Sequence, residues 1–537
     1  MLKKIIVSIT LILFITSGYS VVNNKCIDTD KLLANNPQNV LLCAQEALYK
    51  SPKTIKSLSS HKIGETTVKS YIISTIEWPW YPKTHPVESS DLTKSTWTHL
   101  IQLYIPKNIL THTAILEVTG GKNPITPDNT TIDIERLRVA HAHYAQLAKD
   151  THSVVIRLFQ IPNQPIKINN KNEKEDGIVA YTWMKFIENP QKYTYFPLQI
   201  PMSVAVSAAM DWSEETLKKE KINIEKFIIT GASKRGWATW LSALIDNRII
   251  AIIPVVIDIL NAKQQFDDIH TYYSYHWPIA LFDYQRYSLT NYQNFPWQKK
   301  ANLDLMMHII DPFQYRYNDN YKNRLSIPKY IVNASGDDFF IPNASLRYFQ
   351  HLPGDNTLRY VENSGHYVNV TTLFPDYAAF INLINKGIAL PQINVKTEFK
   401  DNNFYMDIIY QCNTDDCNLN SITGSLYKAY NPIALDFRYN CMAQYNYSLG
   451  SDDNKIGIYQ AYPISFEKGK TPSAFTAKLT IPITDKGWQS VFVKLQQNTK
   501  LQNPITITTP VYIINGKSIM PYNTMPQTQL SACKILV

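Results

Sequence analysis

Lys226-Phe-Ile-Ile-Thr-Gly-Ala-Ser-Lys-Arg-Gly-Trp237 joins an apolar run to a glycine-serine turn and then to the start of a helix. The helix is marked by Trp237, Trp240, Leu241, Leu244 and Ile245, whose spacing lays one apolar stripe along a helical face. A strand running through a tight turn into a helix lifts the side chain at the turn into the open, and the helix N-terminus beneath it favours negative charge. Ser233 stands at that point. A serine hydroxyl is a weak nucleophile at its own pKa, so it needs a base within hydrogen-bond reach and a third group to orient that base. The usual spacing around such a serine is Gly-x-Ser-x-Gly, whereas here Arg235 takes the second position after it and Gly236 the third. The turn therefore has to be judged by the partners the chain supplies for it.

Two further strand-loop units come downstream. Lys329-Tyr-Ile-Val-Asn-Ala-Ser-Gly-Asp-Asp338 is an apolar run closing in a glycine turn with two acids, followed by Phe339-Phe-Ile-Pro342. Thr357-Leu-Arg-Tyr-Val-Glu-Asn-Ser-Gly-His366 ends in a loop histidine ahead of a helix at 375–386 that Gly387 caps. The chain order Ser, Asp, His with each residue at a strand end is the order the α/β-hydrolase topology requires. Asp337 is preferred as the acid; Asp338 stays open, because its distance to Pro342 also suits an Asp-x-x-x-Pro turn. Upstream, strands are expected at 68–78, 97–105, 113–118 and 153–159, and helices at 131–150 and 198–219, with a further strand at 249–257. The late strands are continuous apolar runs, which points to a mainly parallel sheet buried on both faces.

Glu117-Val-Thr-Gly-Gly-Lys122 ends the third of these strands, and Gly120 or Gly121 can turn a backbone N–H toward an oxyanion beside the N–H of Lys234. Residues 258–325 are too long for a connection and rich in aromatics. They are expected to form a helical lid that builds the substrate pocket, with Asp258, Asn261 and Trp277 as candidate lining. The chain's 34 tyrosines and 10 tryptophans against only 17 glycines also point to aromatic-rich clefts. His141, His143, His270, His276 and His308 lack ligand spacing, so neither a metal nor another cofactor is expected.

At 537 residues the chain is too long for one core. The division expected is a catalytic unit over 21–390 and a β-sandwich of immunoglobulin-like type over 391–537, with strands at 393–399, 404–410, 475–481, 489–494 and 505–514 and no helix. Residues 1–20, Met1-Leu-Lys-Lys4 with an apolar run to Ile15 and a small-residue end at Ser20, read as a secretory signal peptide. No later stretch offers the apolar length of a membrane helix, so no stable membrane insertion is expected. Export puts the six cysteines in an oxidising compartment. Cys26 is expected to pair with Cys43, Cys412 with Cys417 and Cys441 with Cys533, the connectivity of the last four being one choice among those the sequence allows. Two of the nine excess positive charges, Lys3 and Lys4, fall in the leader and the rest are scattered, which gives no footprint for nucleic acid. The expected partner is a small-molecule ester or a peptide.

The chain resembles the PhoPQ-activated pathogenicity-related protein family through Ile228-Ile-Thr-Gly-Ala-Ser-Lys-Arg-Gly-Trp237, Val256-Ile-Asp-Ile-Leu-Asn261, Asp311-Pro-Phe313, Ser335-Gly-Asp-Asp-Phe-Phe-Ile-Pro342 and Leu352-Pro-Gly354. Where that family commonly carries Gly-Asp-Glu-Phe-Phe, Asp338 replaces the glutamate, which favours Asp337 as the shared acid. The basic residue at Arg235 matches the family. The resemblance implies an exported α/β-hydrolase and leaves the substrate open. Ester hydrolysis, prolyl-type peptide cleavage, and a secreted signalling or adhesion role without turnover are the three readings it allows.

Overall fold

The computed structural model describes residue 26 and residues 28–123, 141–412, 417–449, 455–498, 503–516 and 530–536. The expected signal peptide and the first half of the 131–150 helix lie outside them; residues 141–151 are helical.

One nine-stranded sheet organises the first two thirds of the chain. Its strands are β1 (Tyr49–Ile63), β2 (Thr66–Trp78), β3 (Ser95–Ile105), β4 (Thr113–Val118), β5 (Val155–Leu158), β6 (Lys226–Ala232), β7 (Ile249–Val255), β8 (Lys329–Ala334) and β9 (Asn356–Val361). They lie in the order β1-β2-β3-β5-β4-β6-β7-β8-β9. β1, β2 and β3 pair antiparallel, as do β3 and β5, and every pairing from β5 through β4 to β9 is parallel. That order, with the serine turn after β6, is the α/β-hydrolase fold. β5 and β8 are buried along their whole length and β4 everywhere but at Glu117, as a central parallel sheet covered on both faces requires. β1 escaped sequence reading for the opposite reason. It is a mostly exposed edge carrying Lys50, Lys53, Lys56 and Lys62, so it shows no alternation, and its lysines discourage further strand pairing.

Helices cover the sheet. α1 (Asp176–Glu188), α2 (Gln199–Lys219) and α3 (Lys234–Ile245) precede β7, and α4 (Ala262–Tyr272) and α5 (Trp297–Ile310) belong to the insertion between β7 and β8. α6 (Phe374–Asn385) follows β9.

The chain then forms two antiparallel sheets. One contains Gln392–Lys400, Asn403–Gln411 and Ala474–Pro482; the other contains Ile422–Asn431, Trp488–Gln497 and Ile505–Thr508. Phe404, Met406 and Ile408 of the first share a core with Val491, Val493 and Ile507 of the second, and with Tyr330 and Val332 of β8. The C-terminal sheets are thus packed directly on the α/β sheet. Two expectations need correcting here. The segment 505–514 is two strands, because Thr509-Pro510 interrupts the ladder before Tyr512–Asn515. A helix, α7 (Tyr439–Ser448), also interrupts the β-structure, where its polar sequence gave little periodic signal. Disulfides join Cys26 to Cys43, Cys412 to Cys417 and Cys441 to Cys533. No helix among the described residues is long and apolar enough to cross a membrane.

Candidate active site

The carboxyl ends of β6, β8 and β9 bring Ser233, Asp337 and His366 to one place. Ser233 takes φ 56° and ψ −127°, a strained conformation fixed by the packing around it. Its backbone N–H donates to Val255 O at 2.8 Å. A Cβ on Gly231 would stand 2.7 Å from the carbonyl oxygen of Arg235, and one on Gly236 would stand 2.8 Å from that of Gly231. Strand and helix meet at these two glycines, so the second must come three residues after the serine.

Arg235, the residue that breaks the usual spacing, points elsewhere. Its guanidinium makes two bonds of 2.6 and 2.7 Å to Glu175 and one of 2.6 Å to Ile161 O. Lys234 Nζ lies 3.0 Å from Glu175 and 3.3 Å from Asp176. Gln164 donates to both Glu175 and Gly121 O, which ties the loops after β4 and β5 to the serine turn. Burial pushes the Glu175 carboxyl up, but hydrogen bonds and charge from Arg235 and the charge of Lys234 outweigh it and hold the group well below the usual range. Glu175 was invisible in the sequence because its partners lie some 60 residues away on another element.

His366 Nε2 is 2.8 Å from Ser233 Oγ, and His366 Nδ1 is 2.9 and 3.0 Å from the two oxygens of Asp337. Asp337 also accepts from Phe339 N at 2.8 Å, and Phe339 packs on the imidazole with ring centres 4.3 Å apart. Asp338 faces away from the ring. It accepts from His366 N at 3.4 Å and from Asn440 Nδ2 of α7 at 2.8 Å. Geometry therefore puts Asp337 behind the imidazole and Asp338 behind the backbone that carries it.

The serine opens on a cavity of about 490 Å³ whose wall includes Thr119, Gly120, Glu175, Lys234, His366 and the exposed Tyr367. Gly120 is in this wall; Gly121 lies just outside it, its carbonyl bound to Gln164. Lys234 opens α3, whose first N–H groups have no acceptor within the helix. A narrow apolar recess of about 30 Å³ adjoins Ser233 and Lys234, walled by Trp183, Trp237, Phe266, Leu281, Tyr284 and Phe340.

The insertion thus contributes walls, but not through the residues expected. Asp258 is buried and accepts from Tyr360 OH outside both cavities; burial pushes its carboxyl up to about 7. Asn261 takes a left-handed conformation ahead of α4, its amide donating to Arg347 O at 3.4 Å. Trp277 is buried and stacks on His270 at 4.7 Å. Composition singled out polar and aromatic residues here, whereas the recess is built by side chains on the inner faces of α1, α3 and α4, together with Leu281, Tyr284 and Phe340, that only packing selects. No group of His, Cys, Asp and Glu able to hold a metal ion occurs among the described residues.

Known proteins resemble the chain at three levels. The acetyl xylan esterase 1 of Thermoanaerobacterium sp. is similar with a TM-score of 0.40 at 10% identity, covering 65% of this chain and 94% of that one. The glucuronoyl esterase of Solibacter usitatus is similar with a TM-score of 0.35 at 14% identity, covering 66% and 93%. Autocrine proliferation repressor protein A of Dictyostelium discoideum is 34% identical over 323 residues, which are 58% of this chain. The chain spans only 58% of that relative's length. The sequence pattern of a family matches residues 54–438, from β1 through the serine turn and both loops to the start of α7. The chain belongs to the PhoPQ-activated pathogenicity-related protein family.

Proposed function

We propose that the chain is an exported serine hydrolase that cleaves esters through an acyl-enzyme on Ser233. The observation that carries this reading is the unbroken file from Asp337 through His366 to Ser233 Oγ, with bonds of 2.9 and 2.8 Å, at the mouth of a cavity. As Ser233 Oγ attacks the acyl carbon, its proton passes to His366 Nε2, and Asp337 stabilises the imidazolium through Nδ1. The oxyanion is met by the N–H groups of Lys234 and Gly120. When the tetrahedral intermediate collapses, the alcohol leaves with the proton from His366. Water then gives a proton to the same nitrogen, attacks the acyl carbon and frees the acid, returning the proton to Ser233. Disulfides at both ends of the chain support export, since such bonds persist in oxidising compartments.

The recess beside Ser233 is the natural seat for the acyl group, and at about 30 Å³ it suits a short one. Hydrolysis of p-nitrophenyl esters is therefore expected to be fastest for acetyl or propionyl, to fall steeply by hexanoyl, and to vanish in Ser233→Ala. Faster cleavage of a prolyl p-nitroanilide than of any ester would replace this reading with a peptidase. A second reading, a secreted factor acting without turnover, draws on the name of the Dictyostelium relative. A purified chain inert on the whole panel yet active on cell growth would favour it.

A further inference from the structure

Both loops that hold Asp337 and His366 rest on α7 and the residues around it. Tyr439 N donates to Gly336 O at 2.8 Å. A Cβ on Gly336 would lie 2.6 Å from Tyr439 N, so this glycine is needed for close approach to the helix, and one on Gly365 would lie 2.7 Å from Asn440 Nδ2. Asn363, in the histidine loop, exchanges two hydrogen bonds with the Tyr459 backbone, at 2.9 and 2.8 Å. At the solvent-facing rim of this contact, Asn440 donates to the same Asp338 oxygen that accepts from the backbone of His366.

From this chain of contacts, and resting on the hydrolase reading above, we infer that Asn440 is a positioning residue, through which the C-terminal part of the protein sets the reach of His366. Asp338 is anchored from one side by Asn440 and anchors the histidine backbone on the other. Loss of the amide frees its carboxylate to swing, and the imidazole loses its fixed distance to both Ser233 and Asp337. An amide suits this position because it donates without adding charge. The groups facing Asp338 are Asp337 on its own loop, His366 opposite, Arg438 just before α7 and Tyr273 from the insertion. Burial, and then repulsion from Asp337, push the Asp338 carboxyl up, so a neutral donor holds it without disturbing the Asp337–His366 pair.

The test is the second-order rate at which a fluorophosphonate labels Ser233, a readout that needs no natural substrate. Asn440→Ala is expected to slow labelling about tenfold at every pH with little change in melting temperature. Asn440→Asp separates positioning from packing. In acid the new carboxyl and Asp338 share a proton and keep the contact, whereas in alkali both are ionised and repel. Its rate relative to wild type should therefore fall as pH rises. Tyr447→Ala, on an exposed part of the same helix, should label like wild type. Labelling of Asn440→Ala at the wild-type rate, or a flat pH ratio for Asn440→Asp, would overturn the inference alone. A wild-type chain that does not label at Ser233 would overturn it together with the hydrolase reading.

Discussion

The serine turn and the two loops facing it are held by different means. Ser233 is fixed mainly by its own motif: its strand, its helix and the two glycines where they meet lie within a short stretch, and its backbone N–H is held by Val255 O of the neighbouring strand. Asp337 and His366 are fixed from outside, by a helix and strands that begin more than 70 residues later and are tied down by Cys441–Cys533. One half of the site is written into a motif. The other depends on assembly of the whole chain.

Substitutions should separate the two. Gly236→Ala places a methyl 2.8 Å from Gly231 O and 2.9 Å from Ile257. Backbone on one side leaves no room to adjust, so a loss of at least about 3 kcal/mol is expected, read by urea denaturation. Labelling and stability should fall together. Replacing Cys441 and Cys533 with serine opens a cross-link spanning 92 residues. About 2–4 kcal/mol should be lost, and labelling by a fluorophosphonate should weaken at temperatures where the nine-stranded sheet is still folded by circular dichroism. If labelling and the sheet were instead lost together in that variant, the two halves of the site would not differ as described.

The smallest effect concerns Glu362 at the end of β9. Burial pushes its carboxyl up, but the charge of Arg359 and a bond from Lys494 of the C-terminal sheets outweigh this and bring it down to about 2. Because the folded value is depressed, its stabilising contribution is present above the unfolded value near 4.5 and is lost as pH falls toward 2. Glu362→Gln should cost at most about 3 kcal/mol at neutral pH and progressively less as pH falls through about 2, so its unfolding curve should approach that of wild type in strong acid.

Sequence exposed the locally determined half far better than the assembled half. β4, β6, β7 and β8 were readable because strands covered on both faces are dominated by apolar and β-branched residues, and Ser233, the acid turn and His366 could be found from their places at strand ends. The choice between Asp337 and Asp338 leaned to Asp337 but stayed open in the sequence. Adjacent carboxyls in one turn point opposite ways, and only the position of His366 tells which one meets the ring. Arg235 breaks the usual spacing of the turn, and the physical reason, its pairing with Glu175 on another element, is not legible within the turn. Asn440 sits in a polar helix with a weak periodic signal, and its meaning comes from a contact 102 residues away in sequence.

Everything proposed for this site depends on Ser233 being an activated nucleophile. The most direct measurement is fluorophosphonate labelling of the purified chain, with the modified residue located by peptide mass spectrometry. A single adduct on Ser233 is expected, abolished in Ser233→Ala, lowered about a thousandfold or more in His366→Ala, and much weaker in Asp337→Asn than in Asp338→Asn. A folded wild-type chain that takes up no label at Ser233, or that labels equally well without His366, would contradict it.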